Sequence, residues 1–155
     1  MDREARRNAY RYCMLRDQQF SLYDAFAKRN GMTAKSLMVV NALFYAKDGI
    51  TQRDIAARVY ESKQAVNLVV KRLVTAGHAE VSPSAQSGRE KTVTLTNAGR
   101  ACYESVIRHV TWAEDKAMSL LSSGEQEAFV GLQRRFTEGL TELMGEEPRG
   151  YREKG

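Results

Sequence analysis

Apolar residues recur every three or four positions in six segments of the chain, a spacing that predicts six amphipathic helices. Ser, Thr or Asn stands at the start of most of these segments, where its side chain can cap a helix. The predicted helices are residues 4–29, a largely buried helix capped by Thr33, a short helix opening at Ile50-Thr51, Ser62 to Gly77, a long helix capped by Thr96 or Asn97, and a last helix opened by a capping box at Ser123-Gly124-Glu125-Gln126.

The helix from Ser62 to Gly77 separates apolar from polar side chains along its whole length. Its apolar stripe consists of Val66, Val69, Val70 and Leu73. Its other side carries Lys63, Gln64, Asn67 and Lys71. Amide and ammonium groups of this kind can reach a base edge or a phosphate, so this face is a candidate for contact with nucleic acid.

A second, shorter helix precedes this one and is joined to it by a tight turn at Tyr60-Glu61. Thr51 and Asp54 resemble a capping box at its start. Two helices in this arrangement are typical of a helix-turn-helix, whose second helix enters the major groove of DNA. A plain helical hairpin inside a bundle is the alternative that residues 50–77 leave open.

The segment after Gly77 changes its period from helical to alternating. Ala79 and Val81, and later Val93 and Leu95, alternate with polar residues, which indicates two half-buried strands. Residues 82–90 between them are rich in Ser, Pro and Gly and should project as a hairpin. Arg89 near the tip suits a minor groove; alternatively it is a solvated charge paired with Glu90. A helix-turn-helix with a basic hairpin is a winged helix.

Composition and charge agree with a globular protein that binds phosphates. The 155 residues are 43% hydrophobic and 28% charged, and the net charge is +5. Basic residues outnumber acidic ones in residues 1–50 (9 and 5) and 51–100 (8 and 4), and the order reverses in residues 101–155 (7 and 10). The positive excess therefore includes the proposed binding region, although ordinary solubility charge would explain it equally well.

Length and patterning predict one domain over residues 1–145, followed by a disordered tail at 146–155. The winged unit covers about 31–96, flanked by helices at about 4–29 and 97–144 that carry more apolar surface than the unit can cover. A symmetric homodimer would bury that surface; a monomer with its helices folded back is the alternative. Neither a signal peptide nor a membrane span is visible, which favours the cytoplasm.

Several segments together resemble the MarR type of bacterial regulator. Gly31-Met32-Thr33 and the run from Ile50 to Val59 are similar to its G-L-T and L-T-Q-x-E-L-A-x-x-L segments. Ser62 to Gly77 resembles its S-x-x-x-V-x-x-x-V-x-x-L-x-x-x-G helix, and Arg89 with the return from Val93 to Arg100 resembles its wing arginine and L-T-x-A-G-R. Leu121-Ser122 with Glu125-Gln126-Glu127 is similar to its entry to the last helix.

The resemblance implies a mainly α fold with a small β wing, in which the outer helices form a dimer. Such regulators bind pseudo-palindromic operators in double-stranded DNA, usually repress, and often release DNA when a small aromatic compound binds. The DNA-binding residues that it implies are Ser62, Lys63, Gln64, Asn67, Lys71 and Arg89. Two departures concern the wing. Ser84 and Ser87 stand where the family usually has acidic residues that orient the wing arginine, and Val81-Ser82 are neutral where the preceding strand usually ends in basic residues. This wing therefore either contributes less to binding or is ordered differently.

Sensing leaves two hypotheses open. A pocket for an aromatic effector could be lined by Tyr12, Phe20, Phe44, Tyr45, His109 and Trp112, although these residues would equally fill a dimer core. Alternatively, Cys13 could act as a redox switch, because Arg11 and Arg16 stand near it and positive charge favours a thiolate. A cysteine on an apolar stripe is otherwise a core residue.

Catalysis and cofactors are not indicated. His78 and His109 have no nucleophile or carboxylate cluster at a recognisable spacing, and neither Cys13 nor Cys102 shows metal-ligand spacing. The expectation is therefore a regulator that is not an enzyme and needs no cofactor or metal. A winged-helix protein-interaction module without DNA binding is the remaining alternative.

Overall fold

A computed structural model describes residues 2–83 and 90–145. Within these residues the chain forms six helices and one small sheet. Their bounds are α1 (Arg3–Arg29), α2 (Ala34–Tyr45), β1 (Ile50–Thr51), α3 (Gln52–Val59), α4 (Lys63–Thr75), β2 (Ala79–Pro83), β3 (Lys91–Leu95), α5 (Asn97–Met118) and α6 (Ser123–Met144). This confirms a mainly α fold with a small β wing. The predictions for Ser84, Ser87, Arg89 and the tail at 146–155 lie outside the described residues.

Side-chain caps fix where most helices begin. Thr33 Oγ1 accepts the backbone N–H of Ser36 at 3.0 Å, as the sequence predicts for α2. At the start of α5 the cap is Thr96 rather than Asn97, because Thr96 Oγ1 accepts the N–H of Gly99 at 3.0 Å. Each contact satisfies a donor that has no partner inside the helix.

The capping box of α6 begins one residue earlier than the sequence prediction placed it. Ser122, not Ser123, is the cap: its Oγ accepts the N–H of Glu125 at 3.4 Å, and its own N–H donates to Glu125 Oε2 at 2.8 Å. The two bonds are reciprocal, as a capping box requires. The hydrogen bonds to the carboxylate hold the pKa of Glu125 below its ordinary value.

The sheet has three antiparallel strands in the order β1-β3-β2. In the wing hairpin Ala79 pairs with Leu95 and Val81 with Val93. On the other side of β3, Ile50 pairs with Val93. Strand β1 was not predicted, because the sequence pattern indicated that Ile50 and Thr51 open a helix. Through its pairing with β3, β1 connects the start of α3 directly to the wing.

One apolar cluster holds the helix-turn-helix against the sheet. It is formed by buried side chains of α2, α3, α4 and the strands, together with Ala27 from α1 and Ile107 from α5. The largest fully buried members are Leu43, Ile55, Ile107, Val39, Val40, Val66, Val70 and Val93. Since each residue in this cluster removes apolar surface from water, the cluster fixes which face of α4 points inward.

The described residues divide into two compact units after Val110. The first contains α1 to α4, the sheet and the beginning of α5; the second contains the remainder of α5 and α6. In the described part of the chain, no helix combines the length and the apolar character that crossing a membrane requires.

Candidate nucleic-acid interface

The turn between α3 and α4 is closed by backbone geometry and by a cap. Tyr60 follows the last residue of α3 and adopts a left-handed conformation, with φ 54° and ψ 41°. Its N–H donates to the carbonyl of Ala56, which ends the helix. Ser62 then caps α4, since its Oγ accepts the N–H of Ala65 at 3.1 Å. These contacts direct the start of α4 away from α3.

The buried stripe of α4 decides which of its side chains face solvent. Val66, Val69, Val70 and Leu73 are each at most 6% exposed. Ser62, Lys63, Gln64 and Lys71 are exposed, and Asn67 is half-buried. The sequence prediction that these polar residues lie opposite the apolar stripe is therefore matched by their exposure. Their contact with DNA stays a prediction.

Two further exposed residues of α4 were not singled out in the sequence. Arg72 adds a third cation to the helix. Leu68 is 52% exposed although it is a leucine. The apolar periodicity of α4 already indicated that Leu68 is exposed, because Leu68 lies outside the buried stripe of Val66, Val69 and Leu73.

The wing is anchored to the helix-turn-helix by its buried residues and by one ion pair. Val93 is fully buried and Leu95 is 6% exposed, so β3 is held against the core. At the outer end of β3, the Arg53 Nη1 donates to Glu90 Oε1 at 3.0 Å. Glu90, not Arg89, is thus the wing charge whose partner the structure describes. Arg89 lies outside the described residues, and its contact with a minor groove stays a prediction.

The start of α3 carries a small network around Asp54. Thr51 caps the helix by accepting the N–H of Asp54 at 3.1 Å, and its hydroxyl donates to the Asp54 carboxylate at 2.8 Å. The hydroxyl of Thr51 and then the guanidinium of Arg53 lower the pKa of Asp54. In a full capping box the carboxylate would accept the backbone N–H of the cap residue, whereas here it accepts the hydroxyl of Thr51. The lowered pKa keeps the Asp54 carboxylate ionised beside Arg53.

Acidic charge near α4 is partly neutralised. Glu61 in the turn forms an ion pair with Lys35 of α2, with Nζ and Oε2 2.9 Å apart. Lys63, two residues after Glu61 in the chain, therefore stands on the surface near a carboxylate that is already paired. Such a surface favours a polyanion such as DNA.

The segment that forms the winged helix-turn-helix is similar to a known protein family. Residues 30–90 match the model of the MarR family, a span that runs from the end of α1 to the ion pair of the wing. The winged helix-turn-helix of this chain is therefore similar to that of the MarR family. No curated protein matches the sequence significantly.

Solved structures of several transcription regulators share the fold of this chain. MepR of Staphylococcus aureus, solved in a complex with DNA, has a TM-score of 0.69 at 22% identity and covers 86% of this chain and 97% of its own. MarR of Oenococcus oeni PSU-1 has a TM-score of 0.69 at 17% identity, covering 84% and 98%. PcaV of Streptomyces coelicolor, solved with its natural ligand, has a TM-score of 0.63 at 24% identity, covering 84% and 91%. Because they cover 84–86% of this chain, the shared fold extends beyond the winged unit.

Hydrogen bonds and one ring contact hold the wing against the start of α5. Thr96 Oγ1 donates to the carbonyl of Gly77 at 2.7 Å, and the N–H of Thr96 donates to the carbonyl of His78 at 3.0 Å. The ring of His78 meets Tyr103 of α5, with Nδ1 and Oη 3.0 Å apart. Burial raises the pKa of Tyr103. His78 therefore joins the end of α4 to α5, a structural role.

The six aromatic candidates for an effector pocket are spread over three helices. Phe44 and Tyr45 at the end of α2 meet edge to face at 5.5 Å, and the guanidinium of Arg100 lies 5.5 Å from the Phe44 ring. His109 meets Phe26 at 5.2 Å. Tyr12 and Phe20 lie on α1, and Trp112 is in the second unit. A depression along α1 lined by Tyr10, Met14 and Leu15 contains none of the six, so the pocket stays a prediction.

The cysteines are both free, Cys13 half-buried on α1 and Cys102 exposed on α5. Arg16, one of the two cations near Cys13 in sequence, forms an ion pair with Asp17 at 2.8 Å. A paired guanidinium attracts a thiolate less strongly, which weakens the argument for Cys13 as a redox switch. In the described residues, no group of three or more His, Cys, Asp or Glu side chains is placed to hold a metal ion.

Proposed function

We propose that this protein is a transcriptional regulator that binds double-stranded DNA and performs no catalysis. One observation carries the proposal: α4 buries its valine stripe completely and presents Lys63, Gln64 and Lys71 to solvent beside the wing. Amides can form paired hydrogen bonds with adenine, and lysines neutralise phosphates. Gln64 and Asn67 would then contribute to sequence preference, and Lys63 and Lys71 to affinity.

The helix surfaces support a homodimer on a pseudo-palindromic operator. None of the residues of α6 is buried within the chain, although the helix repeats apolar side chains at helical spacing, among them Phe129, Leu132, Phe136 and Leu143. The middle of α1 also exposes Leu15, Phe20 and Leu22. A second copy is the proposed cover, since a two-fold dimer would also place two α4 helices on neighbouring half-sites.

Repression released by a small aromatic compound is the proposed mode of regulation. The contact between Phe44 and Tyr45, with Arg100 over the Phe44 ring, combines aromatic faces with a positive charge. PcaV was solved with its natural ligand, which supports a small-molecule effector here. The junction between His78 and Tyr103 offers a short route from α5 to the end of α4.

Selection of bound duplexes from a random pool tests the proposal. The purified protein should enrich a two-fold symmetric motif. On that motif Lys71→Ala should weaken binding and reduce by about 2 the slope of log affinity against log salt, because each subunit of the dimer loses one phosphate contact. Lys116→Ala provides a matched control, because Lys116 is an exposed lysine in the last turn of α5, remote in sequence from α4; its salt slope should equal that of the wild type.

Other outcomes point to the alternatives. Failure to enrich any duplex would contradict DNA binding and would favour a protein-interaction module. Enrichment of a motif without two-fold symmetry would contradict the dimer. Loss of binding on peroxide treatment that Cys13→Ser abolishes would replace the aromatic effector with the redox mechanism.

A further inference from the structure

Leu68 shares the polar face of α4 with two candidate DNA-binding residues. It lies four residues after Gln64 and three before Lys71, and side chains at these spacings are neighbours on a helix surface. All three are exposed, Leu68 by 52% of its surface. The face that is proposed to enter the major groove therefore has an apolar side chain between an amide and an ammonium group.

A single exposed leucine is ordinary on a protein surface, so its surroundings decide what it signifies. The neighbouring amide and cations suit base edges and phosphates, which places the leucine among groups that would be desolvated together. A leucine offers no hydrogen bond, and its favourable contact must be apolar. In the major groove the apolar group on a base edge is the C5-methyl group of thymine.

We propose that Leu68 packs against the C5-methyl group of a thymine and so selects thymine at one position of each half-site. This inference rests on the proposed function. It adds an apolar base contact to a helix for which the sequence indicated only polar DNA-binding residues. Gln64 and Leu68 would then read neighbouring base pairs, one by hydrogen bonds and one by methyl contact.

Replacing thymidine by deoxyuridine tests the contact directly, because it removes only the methyl group and keeps every hydrogen-bonding group of the base. The probes are duplexes selected by the wild-type protein, resynthesised with deoxyuridine at one thymidine position of each half-site at a time. At one position the wild-type affinity should fall by about three- to tenfold, which is the scale of one or two apolar methyl contacts. Leu68→Ala should bind the thymidine and deoxyuridine duplexes equally at that position.

Two further variants separate this contact from general effects. Leu68→Met keeps an apolar side chain and should keep the preference for thymidine. Val74→Ala is the matched control, because Val74 is 42% exposed on the last turns of α4 and should be too far from the helix start to reach a base edge; it should discriminate as the wild type does.

The results distinguish the inference from the function on which it rests. If no duplex is selected, DNA binding itself fails. If duplexes are selected but wild type and Leu68→Ala lose the same affinity on deoxyuridine substitution, DNA binding stands and the methyl contact is wrong. A uniform loss for Leu68→Ala on every duplex, irrespective of the methyl group, would also overturn the inference.

Discussion

Arg53 at the start of α3 and Glu90 at the start of the last wing strand form an ion pair, with Nη1 and Oε1 3.0 Å apart, across 37 residues of sequence. The same guanidinium contacts Asp54 at 3.3 Å. The sequence lacks acidic residues at Ser84 and Ser87, and the Arg53–Glu90 pair supplies a charge contact between the wing and the helix-turn-helix instead. Because it supplements the pairing of β1 with β3, we expect it to hold the wing in its working position.

Glu90→Gln distinguishes this positioning role from a general effect of charge, because the two predict opposite changes in the affinity for DNA. Removing a negative charge near DNA should strengthen binding if charge alone matters. If the pair positions the wing, the variant should bind the selected duplex about three- to fivefold more weakly, since an exposed ion pair contributes up to about 1 kcal/mol. Titration of the duplex at fixed salt measures the effect.

Glu80→Gln is the control for this comparison, because Glu80 is an exposed acid on β2 whose described contact is a hydrogen bond that its Oε1 accepts from the hydroxyl of Thr94 at 3.5 Å. The control should bind as tightly as the wild type or more tightly. The reversed pair Arg53→Glu with Glu90→Arg should recover binding lost in Glu90→Gln. Binding by Glu90→Gln as tight as that of Glu80→Gln would contradict the positioning role.

Gly99→Ala should destabilise the protein severely. A Cβ at this position would overlap the carbonyl oxygen of His78, and that carbonyl is held by the N–H of Thr96. Helix propensity alone predicts that alanine raises the free energy of unfolding by about 1 kcal/mol. The overlap should instead lower it by about 3 kcal/mol. Urea denaturation at fixed protein concentration measures the difference.

Gly124→Ala should have the opposite effect on stability. Among the described residues, no atom outside the backbone of its own helix lies within 4 Å of the added Cβ in the first turn of α6. This variant should be as stable as the wild type or up to about 1 kcal/mol more stable. Equal stability of Gly99→Ala and Gly124→Ala would show that the junction of the wing with α5 is not close-packed.

Tyr60→Gly should raise stability. Among the described residues, Tyr60 is the only non-glycine residue with positive φ, and its side chain is 95% exposed, so its removal loses almost no packing. Relief of the left-handed strain should outweigh the greater entropy of glycine in the unfolded chain, for a net gain of about 0.5 kcal/mol. A shift of the urea midpoint to higher concentration would measure it.

Tyr60→Phe is the matched variant, because it keeps the Cβ that causes the strain and removes only the hydroxyl. Its midpoint should equal that of the wild type. A Tyr60→Gly variant less stable than both would mean that the ring makes a stabilising contact in the assembled protein.

Glu125→Gln should lose stability near neutral pH and not in acid. The N–H and hydroxyl of Ser122 hold the pKa of Glu125 below its ordinary value of 4.5, so the carboxylate is favoured more in the folded chain than in the unfolded one. Its contribution is present above about that pH and disappears as the pH falls and the carboxyl protonates. The difference in melting temperature between wild type and variant should therefore shrink from pH 7 to pH 3.

Glu127→Gln serves as the control, since Glu127 is exposed on the same turn and takes no part in the capping box. Its melting temperature should follow that of the wild type at both pH values. A difference for Glu125→Gln that persists unchanged at pH 3 would contradict the charge dependence of the cap.

Local signals in the sequence predicted the helix-turn-helix well. The cap at Ser62 and the valine stripe of α4 each depend on neighbouring residues, and the structure contains both. Strand β1 could not be recognised, because two residues are too few to show an alternating pattern. The capping box of α6 was misplaced by one residue, because Ser122 and Ser123 are both suitable caps and only the reciprocal bond to Glu125 distinguishes them.

Two residues of the candidate site, Arg53 and Leu68, were not predicted from the sequence. The polar side chains of α4 were identified because they stand opposite a local apolar stripe. Arg53 was missed because its partner Glu90 is distant in sequence and adjacent only after β1 pairs with β3. Leu68 was missed because residues were assigned to the two faces by polarity, whereas its exposure follows from its position on the helix.

The lack of any buried residue in α6 links the folding of the C-terminal segment to protein concentration. Most of the stability of a helix in a protein comes from packing of its apolar face, so the proposed second copy would supply most of the free energy that keeps α6 helical. By mass action, dilution would then melt α6 as the subunits separate. A cell that makes little of the protein would hold mostly single subunits with a frayed C-terminal helix, and operator occupancy would rise more steeply than in proportion to the amount synthesised.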